Sequence, residues 1–457
     1  MEQNNQPRER LGSRLGFILL SAGCAIGVGN VWRFPYMVGQ NGGGAFVPVY
    51  LFFLLIMGLP IMVMEFAVGR ASRKSIACMY DELVPEKKAW KAHSWAALAG
   101  NIILMMFYTI VTGWMMDYFV SMATGRFEGL TKAEITGVFG QICSSPAELT
   151  LFMGIVVVVG FFICSFSLQG GLERITKYMM LALLVIMVVL AIYGFTQPGA
   201  KAGLTFYLKP DFSKLSLDVI AGAMSQAFFT LSLGIGSMAI FGSYIGKERS
   251  LLGESVNIVA LDTFVAITSG LIIFPACFTY DLEVGAGPSL IFQTLPVVFD
   301  NMPGGRIWGT LFFLFMMFAS FSTILAVFEN IISCVRDLTG WGRKKTCLIG
   351  GISIFLLSLP CVFGFNLLSG FTPFGAGSNV LDLEDFIVSN ILLPLGSLTI
   401  VIFCTRKIGW GWDSFVAEAN IGKGLKMKKW MKGYITWVLP VVIFALFVFG
   451  IVTKFIG

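Results

Sequence analysis

The stretch GCAIGVGN (residues 23–30) interrupts the first long apolar segment of the chain, and the fold prediction starts from it. Each glycine inside a helix costs about 1 kcal/mol relative to alanine, so the helix is expected to break within this stretch. A second stretch, FTLSLGIGS (residues 229–237), occupies the corresponding place in a later apolar segment. Two broken helices at matching places favour a chain built from two related halves. Close helix packing through small residues is the alternative.

The composition around these stretches is that of a membrane protein. Only 13% of the 457 residues are charged and the mean hydropathy is +0.82, whereas soluble domains carry about a quarter charged residues. We therefore predict an all-α polytopic membrane protein, with residues 1–457 forming one domain in the lipid bilayer. Eleven apolar segments approach the roughly 20 residues that a spanning helix needs: 14–38, 44–70, 92–124, 148–169, 174–195, 219–245, 253–279, 306–337, 345–363, 379–405 and 432–455. The two five-helix halves are then residues 14–195 and 219–405, and residues 432–455 form an extra helix.

The distribution of positive charge predicts the orientation of these spans. Of the 32 Lys and Arg, 24 lie in the loops on the side of the N-terminus, seven lie in the opposite loops, and Arg33 lies within a span. Lys and Arg concentrate on the cytoplasmic side of membrane proteins. We expect a cytoplasmic N-terminus and an extracytoplasmic C-terminus. Short tails and the lack of an N-x-S/T sequon favour a bacterial plasma (inner) membrane.

The residues that usually mark metal, enzyme or nucleic-acid chemistry are sparse. Nine cysteines are scattered singly, which is typical of apolar packing residues. The one histidine, His93, lies beside Lys91 and is predicted to be a solvated loop residue. No Ser/His/Asp set or HExxH motif is present, so we expect neither an enzyme nor a zinc or haem site. No basic face is interleaved with aromatic residues as nucleic-acid binding requires, and no obligatory protein partner is inferred.

The two breaks are the expected binding site. An unwound helix frees carbonyl oxygens, which bind a hard cation such as sodium, and its half-helix N-termini present N–H groups to an anion. A zwitterion with sodium beside it satisfies both. Asn30, Thr230 and Ser232 add side-chain oxygens at the same depth. Irregular backbone at membrane depth persists only where it is buried in protein or lines a cavity.

Ionisable residues inside the spans are the other candidates, because such residues are costly in a membrane. Arg33 and Asp385 are expected to lie on one side of the breaks, either as an outer gate or as a static ion pair. Arg8 and Asp337 are expected on the opposite side, either as an inner latch or as an ordinary surface pair. The remaining ionisable residues within spans are Glu65, Asp262 and Glu329.

Adjacent hydroxyls occur in the middle of the eighth span, at Ser322 and Thr323. Such hydroxyls often hydrogen-bond to the preceding helical turn. Two adjacent ones facing a cation are the other interpretation, and the sequence by itself does not choose between them.

The residues around both breaks resemble the signature of neurotransmitter:sodium symporters. GVGNVWRFP (27–35) and NGGGAF (41–46) are similar to the first-helix motif of that family, and QAFFTLSLG (226–234) to its sixth-helix motif. The resemblance extends over essentially the whole chain, and is greatest to the bacterial leucine-transporter-like proteins and the eleven-helix, tyrosine-transporter-like subgroup. It implies a LeuT-type fold of two inverted five-helix repeats plus one extra helix, with no twelfth helix.

The resemblance also implies two sodium sites. The first takes the Ala25 carbonyl with Asn30, Thr230 and Asp262. The second takes the carbonyls of Gly23, Ile26 and Ala319 with the hydroxyls of Ser322 and Thr323. Arg33–Asp385 would close the site on one side, and Arg8–Asp337 with Tyr244 on the other.

The substrate site implied by the resemblance lies between the two breaks. Its carboxylate would meet Val28, Gly29, Tyr108 and the first sodium ion, and its amino group the carbonyls near Ala25, Phe229 and Thr230. The complete set is Cys24, Ala25, Val28, Gly29, Leu104, Tyr108, Phe229, Thr230, Ser232, Ile235, Thr323, Ala326 and Val327. Monoamine carriers of the family have an aspartate where this chain has Gly27, so an amino acid is the expected substrate. Ile235 and Val327 leave space for a hydrophobic or aromatic side chain.

One departure from the family pattern concerns chloride. Asp262 replaces the usual asparagine of the first sodium site and would supply the negative charge that chloride supplies in animal relatives. Tyr50 and Gln226 match chloride-site positions, but Ala266 replaces a ligand. The expected function is therefore chloride-independent, sodium-coupled import of a hydrophobic or aromatic L-amino acid by alternating access. A carrier of the same fold with proton coupling is the alternative.

Overall fold

The eleven predicted spans all appear as helices in the computed structural model, which describes residues 9–281 and 289–455. The first span is a bent pair, Arg14–Ala25 and Gly29–Gln40, with an angle of 57° between its halves. Within the described ranges, nine further helices are long and apolar enough to cross a membrane. They are Gly43–Ser72, Lys88–Thr124, Pro146–Ser165, Leu168–Phe195, Leu251–Thr279, Gly305–Thr339, Arg343–Gly364, Val380–Thr405 and Met431–Phe455.

The sixth span consists of two helices, Leu217–Phe229 and Ser237–Tyr244, that are separated by the segment 230–236. Each half is shorter than the roughly 20 residues needed to cross a bilayer. Ser232, Gly234 and Gly236 in the separating segment have positive φ angles of 50°, 99° and 75°. An α-helix cannot continue through left-handed residues, so the predicted break is present.

The first span breaks just after Ala25, where Ile26 has an extended conformation with φ −71° and ψ 100°. Ser13 caps the N-terminal half by accepting the Gly16 N–H, a typical N-cap arrangement. The second half begins at Gly29. The glycines therefore lie at the ends of helices, where their low helix propensity is harmless.

Close backbone contacts hold the broken helices among their neighbours. A Cβ atom on Gly69 of the second span would collide with the Ala239 carbonyl oxygen of the sixth span. A Cβ atom on Gly242 would lie 2.5 Å from the Phe66 carbonyl oxygen. The eighth span packs along the third and the fifth, and also contacts the first half of the first span. Both breaks therefore lie inside the bundle.

Short helices connect the spans at the ends of the bundle: Met79–Leu83, Lys132–Ser144, Ala200–Leu208, Leu295–Asn301 and Trp412–Ala419. The helix Trp412–Ala419 lies between the tenth and eleventh spans. Its Glu418 accepts a hydrogen bond of 2.7 Å from Nε of Arg70, at the end of the second span. Arg70 is 1% exposed and Glu418 is 7% exposed, so this ion pair is buried.

Candidate ion and substrate site

Backbone and side-chain oxygens converge where the first break meets the eighth span. Ser322 Oγ lies 2.9 Å from the Gly23 carbonyl oxygen, 3.2 Å from that of Ile26 and 2.8 Å from that of Ala319. Thr323 Oγ1 lies 3.3 Å from the carbonyl oxygens of Gly23 and Ile26. The five oxygens carry only two hydroxyl protons, so they have more lone pairs than donors. A small hard cation fits such a set.

A second polar cluster joins the first break to the sixth and seventh spans. Asn30 Nδ2 donates to Asp262 Oδ1 over 2.8 Å, and Thr230 Oγ1 donates to Asp262 Oδ2 over 3.3 Å. Asn30 and Asp262 are fully buried, and Thr230 is 1% exposed. Ala25 ends its helix, so its carbonyl is among those that the helix leaves unpaired. A carboxylate without a cation partner is costly in such surroundings, and this cluster also suits a cation.

A donor of the first break also contacts the third span. The Val28 N–H donates to Tyr108 Oη over 2.9 Å. A Cβ atom on Gly27 would lie 2.5 Å from Tyr108 Oη and 2.6 Å from Thr323 Oγ1. Because Gly27 has no side chain, the two hydroxyls can come close to the backbone of the break and its N–H groups. That is chemistry suited to a carboxylate.

Most of the side chains predicted to line the substrate site are buried. Phe229 lies against the first break, since a Cβ atom on Gly29 would be 3.1 Å from its ring. Leu104 and Tyr108 are each 7% exposed, and Cys24, Ile235, Ala326 and Val327 are fully buried. Ser232 has a left-handed conformation at the edge of the sixth-span break.

The predicted gate residues do not all meet. The Arg33 guanidinium lies over the Phe229 ring, 4.0 Å from its centroid. Asp385 Oδ1 accepts a hydrogen bond of 2.7 Å from Ser389 Oγ. Arg33 and Asp385, both of which the structure describes, form no ion pair with each other. Arg33 therefore covers the aromatic ring beside the break.

The opposite end of the bundle is tied together by charged and polar contacts. Tyr244 Oη donates to Glu329 Oε1 over 2.7 Å, and Arg343 Nη1 donates to the same oxygen over 3.1 Å. Asp337 Oδ2 accepts the Ser75 N–H over 2.7 Å. Arg8, the predicted partner of Asp337, lies outside the described residues. Tyr244 thus joins an ion pair that the sequence did not reveal.

His93 is not the solvated loop residue that its basic neighbours suggested. It lies in the third span and is 9% exposed. Its Nε2 is 3.0 Å from the Gly234 carbonyl oxygen and its Nδ1 is 2.6 Å from Tyr80 Oη. The sequence contains a signal for this position, because the apolar segment 92–124 includes His93 and no turn residue separates His93 from the rest of that segment.

Other side chains hold the sixth-span break, and the sequence does not reveal this role. Glu65 is evident there only as an ionisable residue within a span, and Asn101 is not evident at all. Glu65 accepts the N–H groups of Gly234 over 2.5 Å and of Met238 over 3.1 Å. Asn101 Nδ2 donates to the Ile235 carbonyl over 2.8 Å. These contacts satisfy backbone groups that a continuous helix would have paired internally.

Two broken helices that meet around buried oxygen clusters, inside a bundle of membrane-spanning helices, define a secondary transporter. The chain belongs to the sodium:neurotransmitter symporter family, which it matches over residues 8–131 and 132–455. It is therefore a sodium-dependent symporter and not an enzyme.

Individual relatives agree with this assignment. The chain is 32% identical to an "uncharacterized sodium-dependent transporter" of Haemophilus influenzae over 464 residues, covering 98% of this chain and 99% of that one. A second such protein, from Bacillus subtilis, is 33% identical over 396 residues, 87% of each chain. The crystal structure of MhsT in complex with L-phenylalanine is similar, with a TM-score of 0.86 and 35% identity, covering 96% of this chain and 99% of MhsT. The fold is thus of the LeuT type.

Proposed function

We propose that this chain imports a hydrophobic or aromatic L-amino acid together with sodium and without chloride. The observation that carries the proposal is the convergence of the Ser322 and Thr323 hydroxyls on the carbonyl oxygens of the first break. Neutral oxygens from a broken helix and from a continuous helix form a site that a cation completes. Binding there fixes the first break against the eighth span.

Another sodium ion binds at Asn30, Thr230 and Asp262, with the Ala25 carbonyl. The Asp262 carboxylate gives this site a fixed negative charge that balances the cation. A chloride ion near the same cluster would be repelled by that carboxylate, since like charges at short range oppose each other. This supports chloride-independent coupling.

The substrate lies between the two ions, with its carboxylate at the Val28 and Gly29 N–H groups and Tyr108 Oη. Its amino group faces the carbonyls at the ends of the two half-helices, near Ala25 and Phe229. Gly27 supports an amino acid, because an aspartate at this position would place a second carboxylate against that of the substrate. The MhsT complex contains L-phenylalanine, which supports an apolar or aromatic side chain among Leu104, Ile235, Ala326 and Val327.

Transport proceeds by alternating access between two repeats, residues 14–195 and 219–405, with residues 432–455 as an added helix. Arg33, Phe229 and Asp385 close the extracytoplasmic side. Tyr244 and Asp337, with Arg8, close the cytoplasmic side, which is the side of the N-terminus. The excess of Lys and Arg in the loops of that side supports this orientation in a bacterial inner membrane.

The test is uptake of labelled amino acids into proteoliposomes that contain the purified protein, with and without an inward sodium gradient. Competition among Tyr, Trp, Phe, Leu and Ala identifies the substrate class. We expect uptake that needs sodium, is inhibited best by the large apolar or aromatic amino acids, and is unchanged when chloride is replaced by gluconate. Uptake that persists without sodium but needs a proton gradient would select proton coupling instead.

A matched pair of variants tests the cation site itself. Ser322→Ala removes one of the five converging oxygens. Ser320→Ala removes a neighbouring hydroxyl that donates to the preceding turn, at the Met317 carbonyl. We expect the first variant to raise the sodium concentration for half-maximal uptake by about tenfold, equivalent to about 1.4 kcal/mol, and the second to leave it unchanged. Equal changes in the sodium requirement of the two variants would contradict the assignment of Ser322 to a sodium site.

A further inference from the structure

Gly234, the left-handed residue at the centre of the sixth-span break, has both of its backbone groups held by side chains of other helices. Its N–H donates to Glu65 Oε1 of the second span over 2.5 Å. Its carbonyl oxygen lies 3.0 Å from His93 Nε2 of the third span. With φ of +99°, this residue cannot make the backbone contacts of a helix. The conformation of the break at this point therefore depends on two side chains.

The hydrogen-bond roles of His93 follow from its partners. A carbonyl oxygen only accepts, so Nε2 must carry the proton that it donates to Gly234. The neutral ring then has Nδ1 free to accept, and Tyr80 Oη lies 2.6 Å from it. Tyr80 is 2% exposed and its ring packs edge-on against Phe403. Tyr80 thus fixes both the tautomer and the orientation of the imidazole.

The contact between His93 and Gly234 lies against the backbone of the tenth span. A Cβ atom on Gly396 of the tenth span would collide with the Gly234 carbonyl oxygen and would lie 2.9 Å from His93 Nε2. A Cβ atom on Gly234 would collide with the Leu393 carbonyl oxygen. The tenth span is therefore packed directly against this part of the break.

The next carbonyl along the break is held in a similar way. Asn101, two helical turns after His93, donates to the Ile235 carbonyl over 2.8 Å. Asn330 of the eighth span donates to Asn101 Oδ1 over 3.0 Å. The third span thus holds two successive carbonyls of the sixth-span break, at Gly234 and Ile235. Thr230, which belongs to the second polar cluster, lies at the beginning of the same break.

We propose that His93 is a positioning residue for ion binding: by holding the Gly234 carbonyl it fixes the sixth-span break, and with it the place of Thr230. It touches neither ion nor substrate and acts through the backbone between residues 230 and 234. The proposal rests on the proposed sodium site at Asn30, Thr230 and Asp262. It adds that a residue of the third span stabilises the position of Thr230 in that site.

The experiment compares His93→Leu, which removes the donor, with His93→Gln, whose amide nitrogen can still donate to Gly234. Thr109→Val is the matched control, since it removes a buried hydroxyl of the same helix that bonds to Met105 and Ser358, away from the break. The readout is the sodium concentration that gives half of the sodium-induced rise in thermal stability of the purified full-length protein. Transport of labelled substrate then separates KM from maximal rate.

We expect His93→Leu to raise the half-saturating sodium concentration about tenfold or more, whereas His93→Gln and Thr109→Val stay within about threefold of the native protein. KM for substrate should rise with the sodium requirement. A native sodium response in His93→Leu would overturn the proposal. So would a His93→Gln variant that folds but is as defective as His93→Leu, because packing rather than hydrogen bonding would then be responsible.

If His93→Leu does not fold, Tyr80→Phe provides the second test, since it removes only the hydroxyl that orients the imidazole. We expect a smaller rise in the sodium requirement, of about threefold, and an unchanged requirement would overturn the proposal. Because sodium-induced stabilisation needs no transported substrate, its result is independent of which amino acid is carried. A wrong substrate class would alter the uptake measurements while leaving the native sodium response intact.

Discussion

Asn30 and Asp262 are joined by a hydrogen bond of 2.8 Å that connects the broken first span to the seventh. Both residues are fully buried. Asn30 also accepts the Gly27 N–H over 3.2 Å through its Oδ1 atom. One side chain therefore links the conformation of the first break to the carboxylate of the seventh span.

Replacing Asp262 by Asn should weaken sodium binding and introduce a response to chloride. The variant removes the fixed charge but keeps the shape of the side chain and its contact with Asn30. We expect at least a tenfold higher sodium requirement for uptake, which chloride partly restores. The measurement is uptake at varied sodium in chloride and in gluconate. A variant with a native sodium requirement would contradict the assigned role of the carboxylate.

Replacing Gly27 by Ala should reduce substrate affinity. The added Cβ would lie 2.5 Å from Tyr108 Oη, so the tyrosine must move and its contact with Val28 weakens. Overpacking of this kind costs about 1–3 kcal/mol, which corresponds to a rise in KM of roughly five- to 150-fold. Gly433→Ala is the control, because a Cβ atom added there would have, in the described part of the chain, no atom within 4 Å apart from its own helix backbone and chain neighbours. An unchanged KM for Gly27→Ala would exclude this volume as the carboxylate site.

Breaking the Glu329–Arg343 pair should destabilise the protein. Glu329 is fully buried and its partner side chain is 10% exposed, so Glu329→Gln removes the nearer counter-charge of a largely buried guanidinium and leaves it with Glu9 at 3.7 Å. Removing one partner of a buried pair costs about 3–5 kcal/mol. The test is thermal unfolding of the purified protein, with Asp81→Asn as control, since Asp81 and Lys91 form an exposed pair worth under about 1 kcal/mol. The double variant Glu329→Leu/Arg343→Met should be more stable than Glu329→Gln.

Glu9 should contribute stability that is lost in acid. Burial raises the pKa of this carboxyl, but the Leu168 N–H and the charges of Arg343 and Arg336 outweigh it, so the pKa lies below its ordinary value. A group with a lowered pKa stabilises the folded state above its unfolded pKa and loses that contribution as pH falls through the folded pKa.

Glu9→Gln should therefore lower thermal stability at neutral pH, and the difference from the native protein should shrink as pH falls below the usual carboxyl range, about 4.3. Glu86→Gln, at an exposed loop position, is the control. A difference that stays constant down to about pH 3 would rule out this titration.

The fold was predictable because membrane helices are decided by length and hydrophobicity, which are local properties of the sequence. The breaks at 26–28 and 230–236 were also predictable from a local property of the sequence, because closely spaced glycines oppose a helix. The side chains that support the breaks were not. Glu65 is an isolated polar residue of the second span, and His93 and Asn101 are isolated polar residues of the third. Their common target appears only when the second, third and sixth spans are packed together.

The gates show a related limit. Sequence places Arg33 and Asp385 on the same side of the site, but whether they touch depends on the relative position of two helices. Here Arg33 lies over Phe229, which belongs to the sixth span and not to the tenth span that carries Asp385. The pairing of Arg343 with Glu329 is likewise not evident from the sequence, because Arg343 lies outside the predicted spans and Glu329 lies within one.

The buried pair of Arg70 and Glu418 has a consequence for shortened versions of the protein. The tenth span ends at Thr405, yet a counter-charge of Arg70 comes from the connection to the last helix. Truncation after the tenth span would remove Glu418, the carboxylate that pairs with the buried Arg70 guanidinium. A minimal ten-helix carrier would need to retain residues 411–419, or to exchange Arg70 for an apolar side chain.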